Sequence, residues 1–454
     1  MKIQSINPYT EQVINEFELM TKSQLDSQAK MSRKAFPAWR DKPVGERAKL
    51  VKKLGDHLRE NKTIYAELMT REMGKAIKES RGEIEKCAWL CDYYAENAAL
   101  FLAPEEIKTE AKKSYITFAP LGVVLAIMPW NFPFWQVFRF GIPALCAGNV
   151  ILLKHAPSVF GTALSIEDAF KAAGFPDNIF KTLLIDEQTA HTLIDEDKVD
   201  AVSLTGSVRA GRQVGASTSG KIKKLVLELG GSDPFIVLDD ADIEKAAITG
   251  ANARMINAGQ SCIAAKRFIV MENVADAFKK AFVARLRELK IGDPMDEATD
   301  VGPLSRKEIF DNLTAQLADA KAQGAEVLEL DHHFEKGFFF APAVVSNPKS
   351  SMKVLQEEVF GPIAPIVTVE TEEEAILLAN DTEYGLGAAV WSKDLNRAER
   401  VASRIDAGCV VINDFVKSDP RLPFGGVKKS GVGRELSRYG LLEFVNIKSI
   451  VVKE

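Results

Sequence analysis

A chain of 454 residues with 46% apolar and 27% charged side chains has material for about three domain-sized cores. Its net charge of −5 supplies no electrostatic pull toward nucleic acid or an anionic membrane, so neither is expected as a partner. The cysteines (Cys87, Cys91, Cys146, Cys262 and Cys409) number five, too few and odd in count for a disulfide framework, which points to a reducing compartment.

Residues Met1 to Thr10 are polar and lack the apolar run of a signal peptide. The longest apolar run, Leu121 to Trp130, is too short to cross a bilayer. A cytoplasmic location is the resulting expectation. From 23 to 103 the pattern is helical, with Leu50, Val51, Leu54 and Leu58 on one stripe and, more loosely, Ile64, Leu68 and Met73. Cys87 and Cys91 stand four apart on this stretch with no His at metal-ligand spacing, and read as core or helix-face residues. Ser114 to Phe118 and Val123 to Ile127 are β-branched and aromatic around Ala119-Pro120-Leu121-Gly122, a strand, turn, strand signal.

Between 141 and 240 short apolar strands alternate with helices: Asn149 to Lys154, helix Gly161 to Ala173, Ile179 to Ile185, Val202 to Thr205, helix Gly206 to Ser217, Leu225 to Leu229 and Phe235 to Leu238. The pattern recurs from 242 to 415, with helices Asp242 to Ala258, Ala275 to Leu289 and Glu372 to Asn380 and strands Phe268 to Val270, Ala364 to Val369 and Gly387 to Trp391. Apolar strands alternating with helices imply mostly parallel sheets covered on both faces. Two such α/β domains are predicted, joined near Gly230-Gly231. The C-terminal run Ile447 to Lys453 is β-prone and needs an edge partner, which another subunit would supply.

Three polar residues interrupt these elements where chemistry would need them. Cys262 lies in Gly259-Gln260-Ser261-Cys262, a glycine-entered turn in a setting made polar by Gln260, Ser261 and the following Lys266-Arg267, and a thiolate there would attack an electrophilic carbon. Glu228 ends an apolar strand before Gly230-Gly231, where burial would raise its pKa toward that of a neutral-pH base; it equally fits a solvent-facing carboxylate or a partner of Lys224. Asn131 follows Pro129-Trp130, where its amide would donate to an oxyanion or simply cap a turn. Val202 to Ser207 passes from strand to helix with Gly206 and Ser207 at the helix N-terminus, a phosphate-binding geometry without the P-loop Lys or a Gly-x-Gly-x-x-Gly run. The histidines (57, 155, 191, 332 and 333) show no zinc spacing, so no metal is expected; His332-His333 reads as solvated.

Six motifs in order resemble the NAD(P)-dependent aldehyde dehydrogenase superfamily over nearly the whole chain. They are Pro129 to Pro133, Leu204-Thr205-Gly206-Ser207, Leu227 to Gly231, Gly259 to Cys262, Glu357 to Pro362 and Pro423 to Gly431. The resemblance implies an aldehyde dehydrogenase-like α/β fold, with two doubly wound parallel-sheet domains and a small β oligomerisation domain. It implies a dinucleotide-binding domain at 1–107 and 127–229, a catalytic domain at 230–433, and an oligomerisation hairpin and C-terminal strand at 108–126 and 434–454. Cys262 looks like the nucleophile that forms a thiohemiacetal, with its oxyanion held by Asn131 and the Cys262 N–H. Hydride would pass to the nicotinamide, and Glu228 would activate water to release the acid from the thioester. Trp130, Lys154, Ser158, Gly206, Ser207, Leu229, Glu358 and Phe360 fall at cofactor positions, and Glu435 matches a second carboxylate placed in proton relay.

Phe134 to Arg139 and Lys417 to Leu422 are similar to the shorter succinate-semialdehyde dehydrogenases. A terminal carboxylate on the aldehyde needs a cation and hydroxyl donors; Arg139, Ser261 and Ser418 are the candidates, with Trp135 beside them. Arg139 also fits a structural ion pair. Pro157 stands where many NAD-preferring relatives carry Glu, and the hydroxyl of NADP-preferring relatives is displaced to Ser158, so NAD and NADP are both open. Ile263-Ala264 leaves no second thiol beside Cys262 for a local disulfide. A homodimer or homotetramer is implied. Broader aldehyde specificity, including glutarate semialdehyde, stays open. So does a rival of another class, a cysteine-dependent thiol hydrolase or acyltransferase, which would need no dinucleotide site.

Overall fold

The computed structural model describes residues 2–331 and 334–454, so Met1 and the His332-His333 pair lie outside the described residues. Helices Lys22–Arg40, Val44–Glu60, Lys62–Met73 and Ile77–Phe101 fill the first hundred residues. Val51, Leu54 and Leu58 are fully buried on the expected stripe. In the next helix the inward stripe is Tyr65, Met69 and Met73, while Ile64 is exposed. An interval of four, not four then five, keeps a stripe on one helical face. Cys87 and Cys91 are buried within Ile77–Phe101.

Two α/β sheets carry the rest. The six-stranded sheet runs Gly431–Val432, Lys224–Glu228, Ala201–Thr205, Val123–Met128, Val150–His155, Phe180–Thr182, parallel except for the short Gly431–Val432 strand at its edge. The seven-stranded sheet runs Glu326–Glu329, Ala343–Ser346, Ile363–Val369, Arg267–Met271, Pro234–Val237, Gly387–Trp391, Cys409–Ile412, antiparallel only at Glu326–Glu329. Central strands such as Val150–His155 and Pro234–Val237 are buried at every position. Covered parallel sheets require this, and the expected fold class is what forms.

The strand, turn, strand signal around residue 120 resolves differently from a hairpin. Lys113–Pro120 pairs with Val445–Val452 and Glu105–Glu106 in a small antiparallel sheet. Val123–Met128 leaves that sheet and sits between Val150–His155 and Ala201–Thr205. Its apolar run is buried almost throughout, whereas Lys113–Pro120 is half-exposed, and burial decides which sheet each joins. The segment 108–126 is therefore shared between two sheets. The C-terminal strand finds its partner within the same chain, and its other side is the sheet edge, with Ile447 and Val451 exposed.

Candidate active site

The helix Ile243–Met255 stops at a tight turn, Ile256–Gly259. Asn257 (φ 51°, ψ 43°) and Ala258 (φ 54°, ψ 33°) are left-handed, and Gly259 follows at φ +77°. A Cβ on Gly259 would stand 2.4 Å from the backbone carbon of Gly361, so only glycine fits. Cys262 emerges from this turn, half-buried. Buried side chains hold the turn from behind. Arg254 donates to the carbonyls of Ala265 (3.0 Å), Gly259 (2.9 Å) and Val359 (3.1 Å). Lys266 Nζ donates to those of Ser261 (2.8 Å) and Cys262 (2.6 Å). Gln260 accepts from the Ser305 N–H at 2.9 Å. Asn131 Nδ2 donates to Gln260 O at 3.1 Å, and Asn257 Nδ2 donates to Asn131 O at 2.8 Å. The amide thus stands against the turn that carries the thiol.

Burial pushes the Cys262 thiol up to about 11; Arg139 and Lys266 pull it down, and Glu358 and Glu228 push it further up. Glu228 is the buried last residue of its strand. Burial raises its carboxyl well above the usual range, Arg139 opposes that rise, and Glu435 adds to it. Lys224, the alternative partner, pairs instead with Glu443 at 2.6 Å. Gly425 lets this carboxylate in, because a Cβ there would meet Glu228 Oε1 at 2.7 Å.

A cavity of about 170 Å³ opens onto Cys262, and Ser261, Trp135, Arg139 and Ser418 share its walls. Arg139 is tethered at one end within it, while its buried Nη2 has no hydrogen-bond partner among the described residues. Its Nε donates to Glu435, its Nη2 lies 3.9 Å from Glu228 Oε2, and its guanidinium packs over Phe424 at 4.4 Å. The structural ion pair that the sequence left open is present.

Trp130, Lys154, Gly206, Ser207 and Leu229 lie at or just past the C-terminal ends of parallel strands of the six-stranded sheet, where open α/β sheets bind their ligands. Ser207 caps the helix Val208–Gly220 by accepting from the Ala210 N–H, leaving a helix N-terminus for phosphate. A Cβ on Gly211 would meet Leu229 at 2.6 Å. Glu358 accepts from the Gly231 N–H at 3.1 Å and lies 3.4 Å from Lys266, and a Cβ on Gly230 would stand 2.3 Å from Glu358 Oε2. Trp130 and Phe360 meet edge to face at 5.9 Å. Lys154 is buried, and among the described residues no hydrogen bond or ion pair reaches its ammonium. Burial lowers its pKa, with Glu187 and Asp186 opposing. A buried cation without a partner at the C-terminal end of its strand suits a dinucleotide phosphate or ribose. Ser158 stands nearby in the turn Pro157–Val159, its carbonyl accepting from Ser5 Oγ at 2.9 Å.

The sequence did not single out Lys86, Arg254, Asn257 or Lys266 for the site. Arg254 and Lys266 are fully buried, but a lone Arg at a helix end and a Lys before a strand look like ordinary surface charges. Only the Lys266-Arg267 pair beside the cysteine gave any signal.

A thiol on a strained turn, a buried carboxylate and an amide donor, with a helix N-terminus and glycines at the strand ends of an α/β sheet, fit a cysteine-dependent oxidoreductase of carbonyl substrates. The chain belongs to the aldehyde dehydrogenase family, whose sequence profile matches residues 1–450. It is 45% identical over 454 residues to a probable succinate-semialdehyde dehydrogenase [NADP(+)] of Synechocystis, covering 99% of each chain. It is 43% identical over 447 residues to an Escherichia coli succinate semialdehyde dehydrogenase [NAD(P)+], covering 98% of this chain and 97% of that one. The crystal structure of succinic semialdehyde dehydrogenase from Streptococcus pyogenes in complex with NADP+ superposes with a TM-score of 0.97 at 36% identity, covering all of both chains. Among the described residues no helix is long and apolar enough to cross a membrane.

Proposed function

We propose that this protein oxidises succinic semialdehyde, or a similarly short semialdehyde, to the carboxylic acid with NADP+ or NAD+. The observation that carries the reading is the single cavity that Cys262 shares with cations, a hydroxyl and an aromatic wall, with Glu228 buried behind Arg139. A bound nicotinamide supplies the hydride acceptor. Cys262 adds as the thiolate, its proton having passed to water; the S–C bond forms as the carbonyl π pair moves onto oxygen, and the resulting thiohemiacetal oxyanion accepts from Asn131 Nδ2 and the Cys262 N–H. Loss of hydride leaves a thioester on Cys262. Glu228, ionised, takes a proton from water as that water attacks the thioester, and the raised pKa of the carboxyl makes it a stronger base. Ser261, Ser418 and Trp135 line the path to the thiol.

Lys154, Ser158, Gly206, Ser207 and Leu229 would hold the adenosine and diphosphate end, and Trp130, Glu358 and Phe360 the nicotinamide end. In this reading 1–107 and 127–229 form the dinucleotide-binding domain and 230–433 the catalytic domain. The open edge of Val445–Val452 with its exposed Ile447 and Val451 supports self-association through 108–126 and 434–454 into a homodimer or homotetramer. Five free cysteines support a reducing, cytoplasmic location.

The test is a steady-state panel of aldehydes with and without a terminal carboxylate, run with both cofactors and read at the reduced-nicotinamide absorbance. Preferred turnover of short semialdehydes is expected. A flat trace with every pair sinks the proposal.

A further inference from the structure

Lys266 joins the nucleophile turn to Glu358. It is the buried residue before the strand Arg267–Met271, and an ammonium has three hydrogens to donate. Its Nζ meets the carbonyls of Ser261 (2.8 Å) and Cys262 (2.6 Å), and Glu358 Oε1 lies 3.4 Å from the same nitrogen. The Glu358 side chain stays 20% exposed. Apart from Lys266, the one donor that reaches it among the described residues is the Gly231 N–H at 3.1 Å, which leaves lone pairs for a ligand. A glycine pair keeps these groups together: a Cβ on Gly230 would stand 2.3 Å from Glu358 Oε2, and one on Gly231 would stand 2.8 Å from Cys262 O. The Lys266 backbone is fixed in turn. Its N–H donates to Asp233 O at 3.0 Å, and the Asp233 carboxylate accepts from the Gly387 N–H at 3.0 Å.

We propose that Lys266 is a positioning residue that carries the engagement of Glu358 by the cofactor's ribose across to the nucleophile turn. The inference rests on the reading that puts Glu358 at the nicotinamide end. A carboxylate that accepts from ligand hydroxyls shares its charge with them and neutralises Lys266 less. The ammonium then bears more fully on the Cys262 carbonyl and on the thiol, where it favours the thiolate. The charges that act on this thiol are Arg139 and Lys266, which favour its ionised form, and Glu358 and Glu228, which oppose it. Among the described residues Lys266 is the one charged side chain that both pairs with Glu358 and holds the Cys262 carbonyl. Arg254, buried alongside, donates only to carbonyls. Glu79, Glu83, Lys86 and Lys417 line the cavity that opens onto Cys262, and none of them pairs with Lys266 or Glu358 among the described residues.

The test is alkylation of Cys262 by iodoacetamide at pH 8, in which the thiolate displaces iodide, followed in the whole enzyme by mass spectrometry of the Cys262 peptide. Rates are taken without cofactor and with saturating NADPH, or NADH if that binds more tightly; the reduced ring is uncharged and adds no field of its own. Fluorescence titration establishes saturation. Below the thiol pKa the rate follows the thiolate fraction, so one unit of acidity is about tenfold in rate. Shielding of the thiol by the bound ring is common to all variants, so each protein is read as the ratio of its two rates. That ratio should be about three- to tenfold smaller in Lys266→Met and in Glu358→Gln than in wild type, and Lys266→Arg should recover most of it. A Lys266 that only braces the turn would slow both rates of a variant and leave the ratio at the wild-type value, and that result overturns the proposal. Glu358→Gln keeps the size of the side chain and decides the question if Lys266→Met folds poorly. A wild type that binds neither NADPH nor NADH would instead remove the dinucleotide reading, and the proposal with it.

Discussion

Replacing Arg139 by Met separates two roles that the sequence alone could not. The guanidinium lies between two buried carboxylates, donating to Glu435 with Nε and standing 3.9 Å from Glu228 with Nη2. At that separation the Arg139–Glu228 attraction is about 4 kcal/mol at an effective dielectric of 20. Glu435 neutralises part of the guanidinium charge, so we take about 1.5–3 kcal/mol as the share felt by Glu228, which is about one to two pH units. The sign follows from which form the cation favours. Arg139 stabilises ionised Glu228, so its removal raises a carboxyl pKa that burial already holds high. The base is then ionised only at higher pH, and the acid limb of the kcat profile moves up by a unit or more. Loss of one partner from a buried ion cluster also destabilises, by about 3–5 kcal/mol. The assay is kcat against pH with butanal, alongside denaturant midpoints that confirm a folded variant. If the acid limb stays in place while KM rises only for succinic semialdehyde, Arg139 is a carboxylate ligand and the reasoning fails.

Further consequences follow from the same geometry. Glu228→Gln should leave a burst of reduced nicotinamide near one per site while steady turnover falls about 10²–10⁴-fold, in line with the loss of a general base; stopped-flow absorbance reads both phases, and an absent burst would move Glu228 to the acylation step. Glu79, which lines the cavity and accepts from the Asn257 N–H at 2.9 Å, is raised from 4.5 to about 7, chiefly by burial. The folded state keeps this proton while the unfolded state releases it, so stability falls as pH rises from 4.5 to 7. Glu79→Gln should remove that slope and stabilise at pH 8 by about 2 kcal/mol, after a discount for solvent in the cavity. Urea midpoints at pH 5 and 8 decide it, and a pH-independent gap between the two proteins would count against the burial argument.

The strands and helices that the sequence showed best are those whose burial is uniform. Glu372–Asn380 and Gly387–Trp391 have the bounds read from periodicity and turn residues. Val123–Met128 was legible as a strand but not as a member of the central sheet, because pairing partners 27 and 77 residues away decide that. The helix Lys307–Ala322 passed unread, since its charged residues blur the apolar stripe. The N-terminal strand Lys2–Ile6 did as well, being a polar edge element paired with Val13–Glu18.

The site divides in the same way, between groups that announce themselves locally and groups that matter only through distant partners. Cys262, Glu228 and Asn131 each break an apolar or turn pattern, so a sequence can point to them. What makes Cys262 usable is less visible. Two consecutive non-glycine residues, Asn257 and Ala258, adopt left-handed backbone, at a cost of about 1–3 kcal/mol each. That conformation persists because Arg254 and Lys266 spend their charge on backbone carbonyls of the turn and its neighbours, and because Gln260 and Asn257 tie it to Asn131 and Ser305. None of these holders is marked by spacing. Arg139 and Glu435, 296 positions apart, show the same thing: folding sets the guanidinium on Glu435 and 3.9 Å from Glu228, a pairing that no local pattern marks. Lys86, in a helix crowded with Glu and Arg, looks like solvent-facing charge, yet it donates to Ser418 Oγ at 2.8 Å and lies 4.3 Å over the Trp135 ring. A cation's role here is set by which carboxylate reaches it first, and that is a property of the fold.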